Sequence, residues 1–291
     1  MKPFFLYESS NLLSVLIFSF HSYVLKIQFG IRFMNAFPST TFMRYITLTI
    51  IIIILLFAMR INAKEHSLIE TSTINIRQEL PVYCVNTDKK VVALTFDSAW
   101  GTEDLEEILS ILKKHNASAT FFVTGQWAKE HPDAILSISG AGHEIGNHGM
   151  NHKHMPQLSA SEMQDEIQQC EDAVYRLTSQ KMTLFRAPYS DWNDEVVSVA
   201  KQMNYMSINQ SVDSLDWKDY GVESIIDTVC NHKNLENGSI ILLHNGSIYT
   251  HLALDALLTN LEKQGYSFVL VSDLIYTKDY KIDHTGKQFS N

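Results

Sequence analysis

The chain has 291 residues, 45% of them hydrophobic and 19% charged, with 12 glycines and 6 prolines. This composition excludes a disordered, collagen-like or proline-rich linker protein, and the length accommodates one large α/β domain. The formal charge of −9 is uneven: residues 1–63 carry +4, and the remainder, with 18 basic and 31 acidic residues, carries −13. A region that acidic is poorly suited to gripping phosphates, so no nucleic-acid partner is expected. The three cysteines, Cys84, Cys170 and Cys230, are far apart and form no CxxC pattern. They suggest neither a disulfide scaffold nor a cysteine zinc site.

From Tyr45 to Met59 the chain has no charge, and Arg44 and Arg60 bracket the stretch. It is short for a spanning helix, which needs about 20 residues, and long for a secretory apolar core. A second apolar stretch, Leu12 to Leu25, precedes it. Two readings stand open. Residues 1–63 form one or two membrane segments, or translation begins at Met43 or Met34 and opens a signal peptide ending near Ala63. Basic residues upstream keep the N-terminus inside, so both readings place residues after 64 outside the cytoplasm, secreted or membrane-anchored. The membrane is a partner only if the segment stays uncleaved. Residues 64–87 read as a linker and 88–291 as one domain.

Within that domain, Val91 to Phe96 is a near-continuous apolar run of the kind buried parallel strands show. Thr102 is placed to cap a helix running to about His115, with Glu103 and Asp104 in its first turn and Leu105, Ile108, Leu109 and Leu112 as its apolar stripe. Ala119 to Val123 is a second strand, and Gly142 to Gly146 contains a third. Ser159-Ala160-Ser161-Glu162 starts a long helix toward Leu177. Met182 to Arg186 is a strand, followed by a helix from Asp194, a strand around Met206–Ile208 and a helix from Val222. Ser239 to Leu243, a helix from about His251 to Gln264, and a strand from Ser267 to Val271 close the series. This alternation predicts a parallel α/β sheet with right-handed crossovers, open or closed into a barrel.

Unusual polar residues sit just after the apolar strands: Asp97, His148 and His152, Arg186, Asp213 and Asp216, and His244. In parallel α/β architectures, catalytic groups gather outside the carboxyl ends of strands. His148 and His152 stand at i and i+4, so one helical turn would aim both rings at one ion. Asn147, His154, His143 and His115 are further candidates nearby. Each group also has a bland reading, as a turn cap, a surface ion pair or a core histidine; their shared placement is the argument.

The strings TFDSAWG (95–101), GHEIGNHGMNH (142–152), FRAPY (185–189), VDSLDW (212–217) and IILLHN (240–245) resemble, in order and spacing, the five motifs of polysaccharide deacetylases, carbohydrate esterase family 4 or the NodB-homology domain. The resemblance spans residues 88–272. It implies a distorted (β/α) barrel of about seven strands that removes acetyl groups from N-acetylated sugars of peptidoglycan, chitin or a related glycan. It also implies that His148 and His152 hold a divalent metal, zinc or else cobalt, and that Asp97 is the general base, oriented by Arg186. By the same resemblance, the Tyr189 backbone N–H stabilises the oxyanion, His244 with Asp216 protonates the leaving amine, and Trp217 and Leu242 wall the acetyl pocket. An unactivated acetamide needs this combination of activated water, oxyanion stabilisation and acid.

Two departures stand out. Ser98 occupies the position where the family has a second Asp completing the metal site, so the ion loses its anionic ligand. Glu103, Asp104 or Ser98 with a water are candidate replacements. The FDxxWG form resembles a branch frequent in spore-forming bacteria in which that Asp is commonly absent, which brings a sporulation role into view. Gly149 stands where Ser or Thr is usual. The alternative function is a catalytically silent glycan-binding domain; a zinc peptidase is disfavoured because no HExxH occurs.

Overall fold

The computed structural model describes residues 49–53 and 79–291. The chain divides into Met1–Arg77 and Gln78–Asn291. Apart from residues 49–53, which are helical, the apolar stretches expected near the N-terminus and the cleavage point near Ala63 lie outside the described residues. Among the described residues, no helix is long and apolar enough to cross a membrane.

The second unit begins with β1 (Cys84–Val85) and β2 (Val91–Ser98), then α1 (Leu105–Lys114), β3 (Ala119–Val123), α2 (Gly125–Glu130) and α3 (Pro132–Gly140). It continues through β4 (Glu144–Asn147), α4 (Ala160–Thr178), β5 (Leu184–Phe185), α5 (Asp194–Gln202), β6 (Met206–Ser207), β7 (Val212–Asp213) and α6 (Val222–Cys230). β8 (Ile240–His244), α7 (Thr250–Lys263), β9 (Ser267–Phe268), α8 (Val271–Leu274), β10 (Tyr280–Ile282) and β11 (Lys287–Ser290) complete it.

Seven parallel strands run in the order β6-β5-β4-β3-β2-β8-β7, with β9 beside the start of β2. The expected barrel is therefore a curled half-barrel; β6 and β7 are not paired with each other among the described residues. Strand β2 is interior, buried from Val92 to Ser98 and sandwiched between β3 and β8, which explains the unbroken apolar run. Part of the stretch expected as linker is paired: Val82 bridges Ile208, and Cys84 bridges Ser239.

Helix α4 starts as read, with a capping box in which Ser159 and Glu162 bond each other's backbone N–H. Helix α1 does not. Asp104, not Thr102, occupies its N-cap, and the Asp104 side chain caps nothing in its own helix. The strand series also continues beyond Val271: the hairpin β10–β11 returns so that β11 pairs with β1. Those strands are short and largely polar, held by buried Gln288, which bonds both backbone groups of Tyr276. An apolar-periodicity reading has nothing to find there.

Helices α1 and α7 are clasped at the far end by His115, whose ring nitrogens lie 2.8 Å from Asp255 and 3.0 Å from Glu262. Partial burial disfavours the charged ring, but the two carboxylates outweigh it and raise its pKa above 6.5. The clasp's contribution is therefore complete below the unfolded value near 6.5 and fades as pH rises through the raised folded value. His115→Gln should lower the melting temperature at pH 6 by about 1–3 °C and by less at pH 9, as thermal scans at the two pH values will show.

Candidate active site

The C-terminal ends of β2, β4, β5 and β8 form one rim. Asp97 and His244 are register partners on adjacent strands β2 and β8. The strand order thus places the expected base and acid side by side, although 147 positions separate them in sequence.

Asp97 is buried, and its Oδ1 accepts a 2.7 Å hydrogen bond from Arg186 Nη1. Arg186, fully buried, also donates to Thr95 Oγ1 at 2.9 Å and lies over the Phe122 ring. Burial alone would lift the Asp97 pKa, but Arg186, helped by His148 and His244, holds it below its ordinary 3.8. The carboxylate is thus kept ionised and aimed, as a general base requires.

His148 and His152 do not share a helical turn; the segment between them is a loop following β4. Gly149 adopts φ +75°, which a Ser or Thr would occupy only with strain, and His152 itself has φ +52°. The loop is shaped from below by Glu166 on α4. That buried carboxylate accepts the backbone N–H groups of Met150 and Asn151 at 2.9 and 2.7 Å and the Asn151 side chain at 2.8 Å, and pairs with Lys153 at 2.9 Å. Asn147 fastens the other end, accepting Gly149 N–H at 2.9 Å. The ring centroids of His148 and His152 end 5.0 Å apart.

His148 Nδ1 lies 2.8 Å from the Arg186 carbonyl, which requires a proton on Nδ1 and leaves Nε2 with a free lone pair. That buried Nε2 has no hydrogen-bond partner among the described residues, and neither does the buried Ser98 Oγ. Nε2 lies 3.5 Å from Asp97 Oδ2. Burial lowers the pKa of His148, and burial with the neighbouring His148 ring brings His152 down to about 4, so both rings are neutral donors at pH 7. Two neutral imidazoles and a hydroxyl fit a divalent cation such as zinc in donor type, without the carboxylate that would add charge.

Glu103 and Asp104 do not complete that set: no cluster of three or more His, Cys, Asp or Glu suited to a metal occurs among the described residues. Glu103 folds back onto the Thr102 N–H at 2.9 Å, and both Asp104 oxygens accept Gly246 N–H at 2.9 Å.

His244 is fixed by Asp216, which is fully buried and accepts the His244 Nδ1 and backbone N–H and the Thr250 hydroxyl, each at 2.7 Å. Burial disfavours the His244 cation, but the Asp216 hydrogen bond and charge prevail and raise its pKa above 6.5. Asp213 orders the same turn through the Leu215 N–H. Tyr189 and Trp217 are exposed at the rim, while Leu242 is buried beneath it. Tyr189, at φ +60°, packs edge-on to His152 and stacks on His154, which pairs with Asp191. His115 belongs to the helix clasp, and His143 takes the Ala119 N–H where β3 begins, so neither joins this rim.

Sequence reasoning missed Glu166, Thr95 and Thr250. Glu166 left a signal: it lies on the same face of α4 as buried Met163, Ile167 and Cys170, where a lone carboxylate demands donors.

A buried ionised carboxylate and an imidazole whose pKa is raised stand beside two imidazoles whose pKa values are lowered, an arrangement suited to acid–base chemistry. The polysaccharide deacetylase family model matches residues 85–208. The peptidoglycan-N-acetylmuramic acid deacetylase PdaA of Bacillus subtilis is 34% identical, over 69% of this chain and 77% of that protein. A peptidoglycan-N-acetylglucosamine deacetylase of Bacillus cereus is 35% identical over 67% and 92%. Among solved structures, a CE4 family pseudoenzyme from Bacillus anthracis superposes with a TM-score of 0.64 at 36% identity, covering 67% of this chain and 68% of that one. A mutant of that pseudoenzyme has restored enzymatic activity. The chain belongs to the polysaccharide deacetylase family, hydrolases of carbon–nitrogen bonds outside peptides.

Because Arg186 is the buried counter-charge of Asp97, Arg186→Met should destabilise the fold by about 3–5 kcal/mol, and adding Asp97→Asn should recover part of that loss. Urea unfolding of the two single variants and the double variant measures the coupling.

Proposed function

We propose that the chain is a metal-dependent N-deacetylase of a GlcNAc-containing cell-wall glycan, peptidoglycan foremost, acting outside the cytoplasm. The observation that carries this reading is the pairing in register of two differently prepared groups: Asp97 held ionised by Arg186, and His244, whose pKa its hydrogen bond to Asp216 raises. Named relatives acting on peptidoglycan support the substrate class.

A divalent cation held by His148 and His152, with the Ser98 hydroxyl beside them, would supply Lewis acidity toward the acetyl carbonyl and acidify a coordinated water. The residues of the chain do the rest. Asp97 takes the proton of the attacking water at its carboxylate, and Arg186 keeps that carboxylate ionised and oriented. The Tyr189 backbone N–H faces the oxygen that gains charge. As the carbon–nitrogen bond breaks, the proton on the His244 ring passes to the departing amine, leaving acetate and a free amino sugar. Trp217 and Leu242 wall the space for the acetyl methyl.

Asp97→Asn and His148→Ala should each cut acetate release from N-acetylglucosamine oligomers by about 10²–10⁴-fold. The rate should fall on the alkaline side as pH passes the raised pKa of His244, above 6.5. A rate that stays flat through about pH 9 removes His244 as the acid.

The second reading is a catalytically silent glycan-binding domain, favoured by Ser98 in place of an anionic ligand and by the similarity to a family pseudoenzyme. Zinc titration separates the two. The enzyme reading expects stoichiometric zinc, bound about 10–100-fold more tightly in Ser98→Asp, and acetate release that stops when a chelator removes the metal. Glycan binding with neither zinc nor acetate establishes the silent domain instead.

A further inference from the structure

Asp104 breaks a local rule. It occupies the N-cap of α1, where an aspartate ordinarily accepts N–H groups of its own first turn, yet it makes no such bond. Its carboxylate is nearly fully buried, and burial raises its pKa. Both oxygens instead reach Gly246 N–H at 2.9 Å, across 142 positions of sequence. The imidazole facing it is that of His251, whose Nδ1 lies 4.0 Å away and has no hydrogen-bond partner among the described residues. An uncapped helix and a desolvated carboxylate both disfavour this arrangement, so the contact with Gly246 has to be judged by what it holds in place.

Gly246 follows the acid His244 by two residues. Between them, fully buried Asn245 donates its amide to the Gly101 carbonyl at 2.9 Å and the Trp100 carbonyl at 3.4 Å. Gly246 sits at φ +79°, and a Cβ there would come within 2.7 Å of the Trp100 oxygen, so the two backbones approach as closely as glycine permits. The turn after β8 is thereby stitched to the segment after β2. Above the stitch, the Trp100 ring lies nearly parallel to His244 at 6.1 Å and edge-on to His152 at 5.8 Å. β2 carries the base and β8 the acid, and this crossing ties together the segments that follow them.

We infer that Asp104 is a positioning residue: by holding the Asn245–Gly246 turn against Trp100–Gly101, it fixes the His244 imidazole relative to Asp97. The inference rests on the deacetylase reading for its kinetic consequence and on geometry alone for its structural one.

Two substitutions in the full chain separate positioning from plain stability. Asp104→Ser supplies a shorter side chain unable to reach Gly246. Asp104→Asn keeps an oxygen that accepts the same N–H. With N-acetylglucosamine oligomers as substrate, Asp104→Ser should melt within about 2 °C of the unmodified chain while kcat falls about tenfold and KM changes less than about twofold. Asp104→Asn should recover most of that kcat. Loss of kcat to the same extent in both variants, no loss in Asp104→Ser, or a loss that simply follows the melting temperature overturns the inference. If the unmodified chain releases no acetate, the deacetylase reading fails on its own. The His244 ring nitrogen resonances then decide: a shift in Asp104→Ser but not in Asp104→Asn upholds the stitch, and identical spectra in all three proteins overturn it.

Discussion

The ion pair between Arg186 and Asp97 is the interaction on which the site depends. Two opposite charges at the centre of a parallel sheet are tolerable only when each is saturated by the other and by nearby dipoles. Thr95, Asp97 and the Arg186 guanidinium achieve that across β2 and β5. The same arginine then uses its own carbonyl to set the tautomer of His148. One residue thereby fixes both the ionisation of Asp97 and the free lone pair of His148 Nε2.

A second layer of buried polar groups holds the loops that the sheet cannot reach. Glu166 and Asn147 hold the segment from His148 to His152, while Asp216 and Thr250 hold His244. Glu166 and Asp216 are carboxylates taken out of water and satisfied by several donors each, so they give rigidity at the cost of desolvation. The strands supply direction and the anchors supply distance.

Much of this was legible in the sequence. The apolar run of β2, the capping box of α4 and the polar residues just past strand ends needed only periodicity and position. Whether the sheet stays open or closes into a barrel was left open by the sequence, because closure depends on which short end strands meet, and β6 and β7 are two residues each. The geometry of His148 and His152 was misread for a related reason. Spacing of four suggests a helical turn, but Gly149 at positive φ and the Glu166 clamp make a loop that brings the rings together by another route. Asp104 and Glu103 look like spare ligands in one dimension; only the fold shows their oxygens occupied elsewhere.

The rim carries an unusual density of left-handed non-glycine backbone: His152, Tyr189, Ser190, Leu215 and Asp219 all have positive φ. Each such conformation costs on the order of 1 kcal/mol, borne by the packed sheet below. Attempts to make the protein more heat-resistant would find their easiest gains there, for instance glycine at position 190. Those same gains would slacken the loops that carry His152, Tyr189 and Asp216, so heat resistance and a fixed rim are set against each other in this molecule by its backbone, independently of its core.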